Sequence, residues 1–295
     1  TVQKLADRYI AQLRALIAHC RDEQNGGFTP SDFPLANLQQ DTIDRLFPGR
    51  QAIEAVYPLS PVQEGMLFHS LYEPGSWVYF DQISVPFHGK VDETAMFAAW
   101  QQVIQRHAIL RTGFLWEGVD QPLQVVHATV EPPVARYDWS RFSADEATDK
   151  LQRYLIDDRN LGFNFRKAGV LRFSWIKMPA ELSSGKASSG TADEKHQFIW
   201  SFHHILLDGW SLPIVFGELF AAYDALTTGQ PLNLGRAPSY QSFIGWMQKQ
   251  DRKAAEAFWR SYLQGFSAAT PIPVRNSAAV IKHKLDDAAN HADRY

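Results

Sequence analysis

Cysteine is nearly absent: Cys20 stands alone in 295 residues. An internal disulfide framework is therefore excluded, and a reducing compartment fits. No apolar run is long enough to span a bilayer. The cytoplasm is the expected compartment, and no membrane partner is expected. Strong charge of either sign is also missing, since 29 Lys and Arg against 32 Asp and Glu leave −3. That balance gives no electrostatic footprint for nucleic acid. There is no GxSxG elbow, no phosphate-binding glycine loop and no dinucleotide fingerprint. No cluster of Cys, His and carboxylates stands at ligand spacing, so no metal is expected. What remains is an ordinary globular composition, 45% hydrophobic and 21% charged. The length allows a substantial core and one or two domains.

The chain is organised around His203 to Gly209 (HHILLDG). The run before it, His196 to His204, alternates Phe198, Trp200 and Phe202 and predicts a strand. Trp210 to Leu226 predicts an apolar helix beginning near Ser211, with Pro213 in its first turn. The two histidines thus fall at the end of a buried strand, on a turn into a helix. Adjacent strand residues point to opposite faces, so one imidazole faces a cavity while the other packs inward. Three readings stand: a core histidine beside a surface one, a metal site, and a general base with Asp208 fixing the loop. Neighbours on opposite faces chelate poorly, which weakens the second. Imidazole titrates near working pH, which suits the third.

The rest of the chain alternates helices and strands. Residues 1–22 carry Leu5, Tyr9, Leu13 and Ile17 on one stripe and predict a packing helix. Residues 25–34 read as a turn-rich connector, and Gln39 to Leu46 as a short helix. Ser60 is a candidate N-cap, Pro61 the first helical residue and Gln63 the reciprocal capping partner. Gln63 and His69 are candidates to line a channel, or else simply cap and helix surface. Strands are expected over Val78–His88, Leu110–Trp116, Gln121–Val130 and Val170–Met178, and helices over Asp92–Arg106 and Asp145–Asn160. Residues 179–195, rich in Ser, Gly and Ala, predict a mobile surface loop without chemistry. Tyr240 to Leu263 predicts one long helix with an aromatic core stripe.

HHILLDGWS resembles the HHxxxDG signature of the condensation domains of nonribosomal peptide synthetases, in the chloramphenicol-acetyltransferase-like superfamily. Three further stretches resemble that family's core motifs in order: Ser60 to Ser70 (SPVQEGMLFHS), Arg106 to Phe114 (RHAILRTGF) and Tyr240 to Trp246 (YQSFIGW). The resemblance implies an α/β fold, a chloramphenicol-acetyltransferase-like two-layer sandwich with a mixed sheet and flanking helices. Family members stack two such lobes in a V, with the active site in a tunnel between them. Here the resemblance covers the N-terminal lobe. Residues 1–46 look like the end of an upstream epimerization domain plus linker, 47–270 the lobe, and 271–295 a linker and the start of a second lobe. On that reading the chain is expected to be inactive alone.

The implied reaction is attack by a carrier-bound acceptor amine on a carrier-bound donor thioester. The domain itself is expected to bind no cofactor, because substrates arrive on 4′-phosphopantetheine arms. The implied partners are upstream and downstream peptidyl carrier domains and adjacent epimerization and adenylation domains. His204 matches the family's catalytic histidine, as base or positioning acceptor, and Gly209 contributes a backbone N–H at the turn. His203 is the inward, structural imidazole. Arg111 is implied to pair with Asp208 and hold the loop. Gln63, His69, Trp210 and Ser211 are the candidate substrate-channel residues. The form of the first motif, with the epimerization-like flank, resembles domains that accept a D-configured donor. Three alternatives stand beside this reading: an epimerization domain, a free-standing HxxxD acyltransferase, and a non-catalytic carrier-docking fragment. An epimerization domain usually has Ser-Trp where this chain has Trp210 and Ser211.

Overall fold

The computed structural model describes residues 1–21, 27–49, 52–180 and 194–268. The expected loop at 179–195 and the expected linker at 271–295 lie almost wholly outside them. Contacts divide the chain into two units, Thr1–Met247 and Gln248–Tyr295.

The first unit opens with helix α1 (Val2–Arg21) and α2 (Gln40–Leu46). Strand β1 (Ile53–Pro58) follows, then α3 (Pro61–Tyr72), β2 (Phe80–His88) and α4 (Glu93–Arg106). Next come β3 (Thr112–Leu115), β4 (Leu123–His127), β5 (Val134–Asp138), α5 (Ala144–Leu161), β6 (Leu171–Met178) and β7 (Lys195–His203). Helices α6 (Ser211–Thr228) and α7 (Tyr240–Gln248) complete it, and α8 (Arg252–Tyr262) belongs to the second unit.

Four strands form one sheet in the order β2-β7-β6-β5, antiparallel except for the parallel pair β5–β6. Alternation divides its faces. Phe173, Trp175, Phe198, Trp200 and Phe202 face one way and join a core with Trp100 of α4 and Val215 and Leu219 of α6. The Trp100 ring lies 4.6 Å from Phe173 and 4.8 Å from Trp200. Ile176, Met178 and Ile199 face the other way and pack with Trp139 and with Ala147 of α5. Helices on both faces explain why β7 is buried from Gln197 to His203 instead of alternating with solvent.

A second sheet, β1-β4-β3, is antiparallel. Val56, Leu123 and Val125 pack with Phe33, Ile43 and Phe47, so the segment just before β1 shares this sheet's core. Ala55, Tyr57 and Val126 pack with Ile244 of α7.

Three expectations are corrected. Arg111 stands in a 3₁₀ turn, Ala108–Arg111, and the strand begins only at Thr112. The single long helix from Tyr240 is two, because the side chain of Asp251 accepts the Ala254 N–H and starts α8 afresh. β1 and β5 are strands without an expected counterpart; both are short and take their strand state from partners distant in the chain.

Candidate active site

β7 delivers both histidines. The His203 N–H donates to Val170 O at 3.1 Å and the His204 N–H to Tyr79 O at 2.8 Å, so the ladder runs into the turn. The Leu206 N–H then closes the turn on His203 O at 3.0 Å.

The two side chains have opposite surroundings. His203 is 4% exposed, with Phe165 edge-on at 4.8 Å. Its Nδ1 accepts the Ile205 N–H at 3.1 Å, which requires the proton of the neutral ring to be on Nε2. Nε2 donates to Ser70 Oγ at 3.0 Å, and Ser70 Oγ donates to Met66 O at 2.8 Å. Burial, and secondarily the neighbouring His204, lowers the His203 pKa to about 4. This imidazole is neutral at pH 7, with both ring nitrogens engaged. His204 is on the open side, with 34% of its side chain exposed, and its Nδ1 lies 2.6 Å from Asp81 Oδ2. Asp81, on β2, is not among the residues expected from the sequence. An acid in a strand of mixed composition carries no signal until the register of β2 on β7 is known.

Gln63 forms the expected capping box with Ser60, and its side chain reaches further. It is buried and makes four bonds. Its Oε1 accepts from Ser60 N at 3.0 Å and Tyr240 OH at 3.1 Å. Its Nε2 donates to Gln124 Oε1 at 3.1 Å and Ile205 O at 3.0 Å. A carboxamide has no capacity left after that. Gln63 therefore caps α3 and holds the turn after the histidines. His69, one helical turn from Met66, is exposed, with its ring 6.5 Å from Tyr79.

The expected Arg111–Asp208 pair is not formed. The buried Arg111 donates from Nε to Ile104 O at 3.2 Å and from Nη1 to Glu54 Oε2 at 2.7 Å. Nη1 also meets the carbonyls of His127 and Ala128. Its place in the 3₁₀ turn aims the guanidinium at the ends of β1 and β4, where carbonyls and one carboxylate satisfy it. Asp208 is exposed and accepts from Ser211 Oγ at 2.7 Å and Ser211 N at 2.9 Å. The Ser211 hydroxyl chiefly holds its carboxyl below the usual range. Asp208 and Ser211 thus form a local loop clasp at the start of α6. An added Cβ at Gly209 meets nothing within 4 Å among the described residues, and the neighbouring Trp210 is 86% exposed.

Cavities flank the turn on two sides. One of about 610 Å³ is bordered by Leu206, Leu207 and Ser211, and on its wall Glu218 meets Arg106 at 3.0 Å and His107 Nε2 at 2.6 Å. The other, about 310 Å³, reaches His203 past Ser70, Phe80 and Phe163. Among the described residues no three His, Cys, Asp or Glu side chains gather to hold a metal ion. None of the described helices is long and apolar enough to cross a membrane.

An open imidazole and a locked one thus stand side by side at the end of a buried strand in an α/β unit. The chain belongs to the condensation domain family, whose profile matches residues 53–291. It is 46% identical over 277 residues to a linear gramicidin synthase of Brevibacillus parabrevis, covering 94% of this chain and 5% of that one. It is 34% identical over 291 residues to bacitracin synthase 3 of Bacillus licheniformis, covering 97% of this chain and 4% of that one. The fold matches the solved starter condensation domain of the rhizomide synthetase, with a TM-score of 0.61 at 19% identity, over 73% of this chain and 50% of that one. The chain therefore spans half of that solved domain and about a twentieth of the synthases.

Proposed function

We propose that this chain carries the histidine site of a condensation domain that joins a carrier-bound aminoacyl or peptidyl thioester to the amine of a carrier-bound acceptor. The supporting observation is the unequal pair of imidazoles: His203 is locked and neutral, while His204 stands open beside it. A free α-amine has a pKa of about 7.7–8.0, so much of it is already nucleophilic near neutral pH. The site has to position that amine, take its proton as the C–N bond forms and stabilise the oxyanion. His204 is the acceptor of that proton, and the Gly209 N–H lies at the turn where the reacting groups meet. His203, Asp208 and Gln63 hold the turn, while Arg111 ties the ends of β1 and β4. His69, Trp210 and Ser211 border the substrate path.

Both substrates arrive on 4′-phosphopantetheine arms of flanking carrier domains, with adenylation and epimerization domains as neighbours in the cytoplasm. The donor ends in a D-configured residue, a reading carried by the first motif, Ser60 to Ser70. The test uses a complete condensation domain carrying this sequence, beside its carriers. The donor carrier is loaded with a D- or L-ended peptide, the acceptor carrier with an amino acid, and carrier-bound product is followed by intact mass. Product from the D-ended donor alone, lost in His204→Ala with the fold retained, is expected. Equal product from wild type and variant would remove His204 from the reaction. Preference for the L-ended donor would overturn the stereochemical reading.

A further inference from the structure

We propose that Asp81 is the positioning residue of His204: its carboxylate fixes the ring in the Nδ1–H form and so presents Nε2 as the proton acceptor. The inference rests on the catalytic reading of His204 and adds a residue to it. Asp81 itself touches no reacting atom.

Three observations carry it. The first is the contact, 2.6 Å between His204 Nδ1 and Asp81 Oδ2. An ionised carboxylate only accepts, so Nδ1 must carry the hydrogen and the lone pair of the neutral ring lies on Nε2. Among the described residues, no partner occupies Nε2. The second is register. In the β2–β7 ladder Asp81 stands opposite Phe202, and Phe80 opposite His203. His204 is therefore the diagonal neighbour of Asp81 on the same face, a separation that long side chains bridge. The third is the backbone just before the strand. Tyr79 adopts φ 65, a left-handed conformation that is uncommon for a residue with a side chain. The carbonyl of that residue accepts the His204 N–H at 2.8 Å. One short segment, Tyr79 to Asp81, thus grips His204 by main chain and side chain together. With 39% of its side chain exposed, Asp81 contributes little to the core, and the imidazole is what it orients.

The adjacent ring has the opposite arrangement, since His203 accepts at Nδ1 and donates from Nε2. Neighbouring histidines are thereby held in opposite tautomers, and only one offers a lone pair outward. In the reaction, the acceptor nitrogen forms a bond to the thioester carbon and gives its proton to Nε2. The imidazolium then donates from both nitrogens, with Nδ1–H still on Asp81. The C–S bond breaks and the proton passes to the departing sulfur, giving amide and thiol.

The test has two arms. Imidazole ¹⁵N spectra of this chain report the tautomer, and steady-state condensation by the complete domain with loaded carriers reports kcat and KM. In Asp81→Ala, His204 is expected to leave the pure Nδ1–H form. The kcat is expected to fall about a hundredfold, the lower end of what a general base contributes, with KM for the carriers unchanged. Asp81→Asn, whose carbonyl oxygen still accepts from Nδ1, is expected to recover the tautomer and most of kcat. An Nδ1–H ring with full kcat in Asp81→Ala would overturn the proposal. So would equal losses in Ala and Asn that follow lowered thermal stability with the tautomer unchanged. If His204→Ala keeps wild-type turnover, the catalytic reading of His204 fails, while the spectra still decide whether Asp81 sets its tautomer.

Discussion

His203 is an imidazole kept neutral by burial, and this ties stability to pH. Its folded pKa of about 4 lies below the ordinary value of 6.5. Between those values the unfolded chain binds the proton and the folded chain resists it. Stability is therefore fully present above pH 6.5 and falls as pH drops through the window, with the loss complete near pH 4. The size is about 3 kcal/mol, from about 1.4 kcal/mol per pKa unit. His203→Gln, which does not titrate, is expected to show a shallower loss than wild type when urea midpoints are compared at pH 7, 5.5 and 4.5. Parallel curves would contradict the assignment. The same scale separates Arg111 from Asp208. Arg111→Met strands several carbonyls and Glu54 and is expected to cost about 2–3 kcal/mol. Asp208→Asn retains an acceptor for Ser211 and is expected to unfold like wild type. Comparable destabilisation of both variants would instead support a shared pair. From the sequence, HHILLDG already pointed to one inward and one open imidazole, because strand neighbours alternate. The contacts of Arg111 with Glu54, of Gln63 with Ile205 and of Asp81 with His204 were not legible, since each joins residues far apart in the chain.

At the scale of elements, Gln63 ties α3, β4, α7 and the histidine turn together. The capping box was readable locally, as Ser60 followed three residues later by Gln63. The other half of its role was not. Two substitutions separate the functions. Gln63→Glu keeps an acceptor for the Ser60 N–H, as a capping box allows, but turns an oxygen toward Ile205 O and Gln124 Oε1. Gln63→Leu loses all four bonds. Both are expected to destabilise by at least about 2 kcal/mol in urea titrations, because buried polar groups lose their partners. If Gln63→Glu is as stable as wild type, capping is its whole contribution. Elements with strong local patterns agreed closely with expectation, α4, α5, β6 and β7 among them. The helix from Tyr240 was over-extended because apolar residues continue past it, while the stop at Asp251 depends on one capping side chain.

For the molecule as a whole, the segment before β1 divides into two parts. The side chains of α1 are exposed from Val2 to His19. Phe33, Ile43 and Phe47 are instead buried against Val56, Leu123 and Val125. Each such side chain contributes about 2 kcal/mol on burial. A chain beginning at Gly27 is expected to melt as the parent does, whereas one beginning at Ala52 is expected to lose several degrees or fail to fold. Equal melting temperatures for the two would show that this segment is an appendage to the sheet. The boundary expected at residue 46 therefore does not coincide with a break in packing.

Period and motif order, which are local, determined the α/β class, the place of the histidine turn and the family. They act through backbone alternation and through side chains within a few residues of one another. The tertiary structure alone decided which groups meet: Asp81 on His204, Ser70 on His203, Gln63 on Ile205 and Glu54 on Arg111. Each of those contacts depends on strand register or helix placement across 57 to 142 positions of chain. Register is set by how the two faces of the sheet fill, and that becomes defined only when the whole core packs.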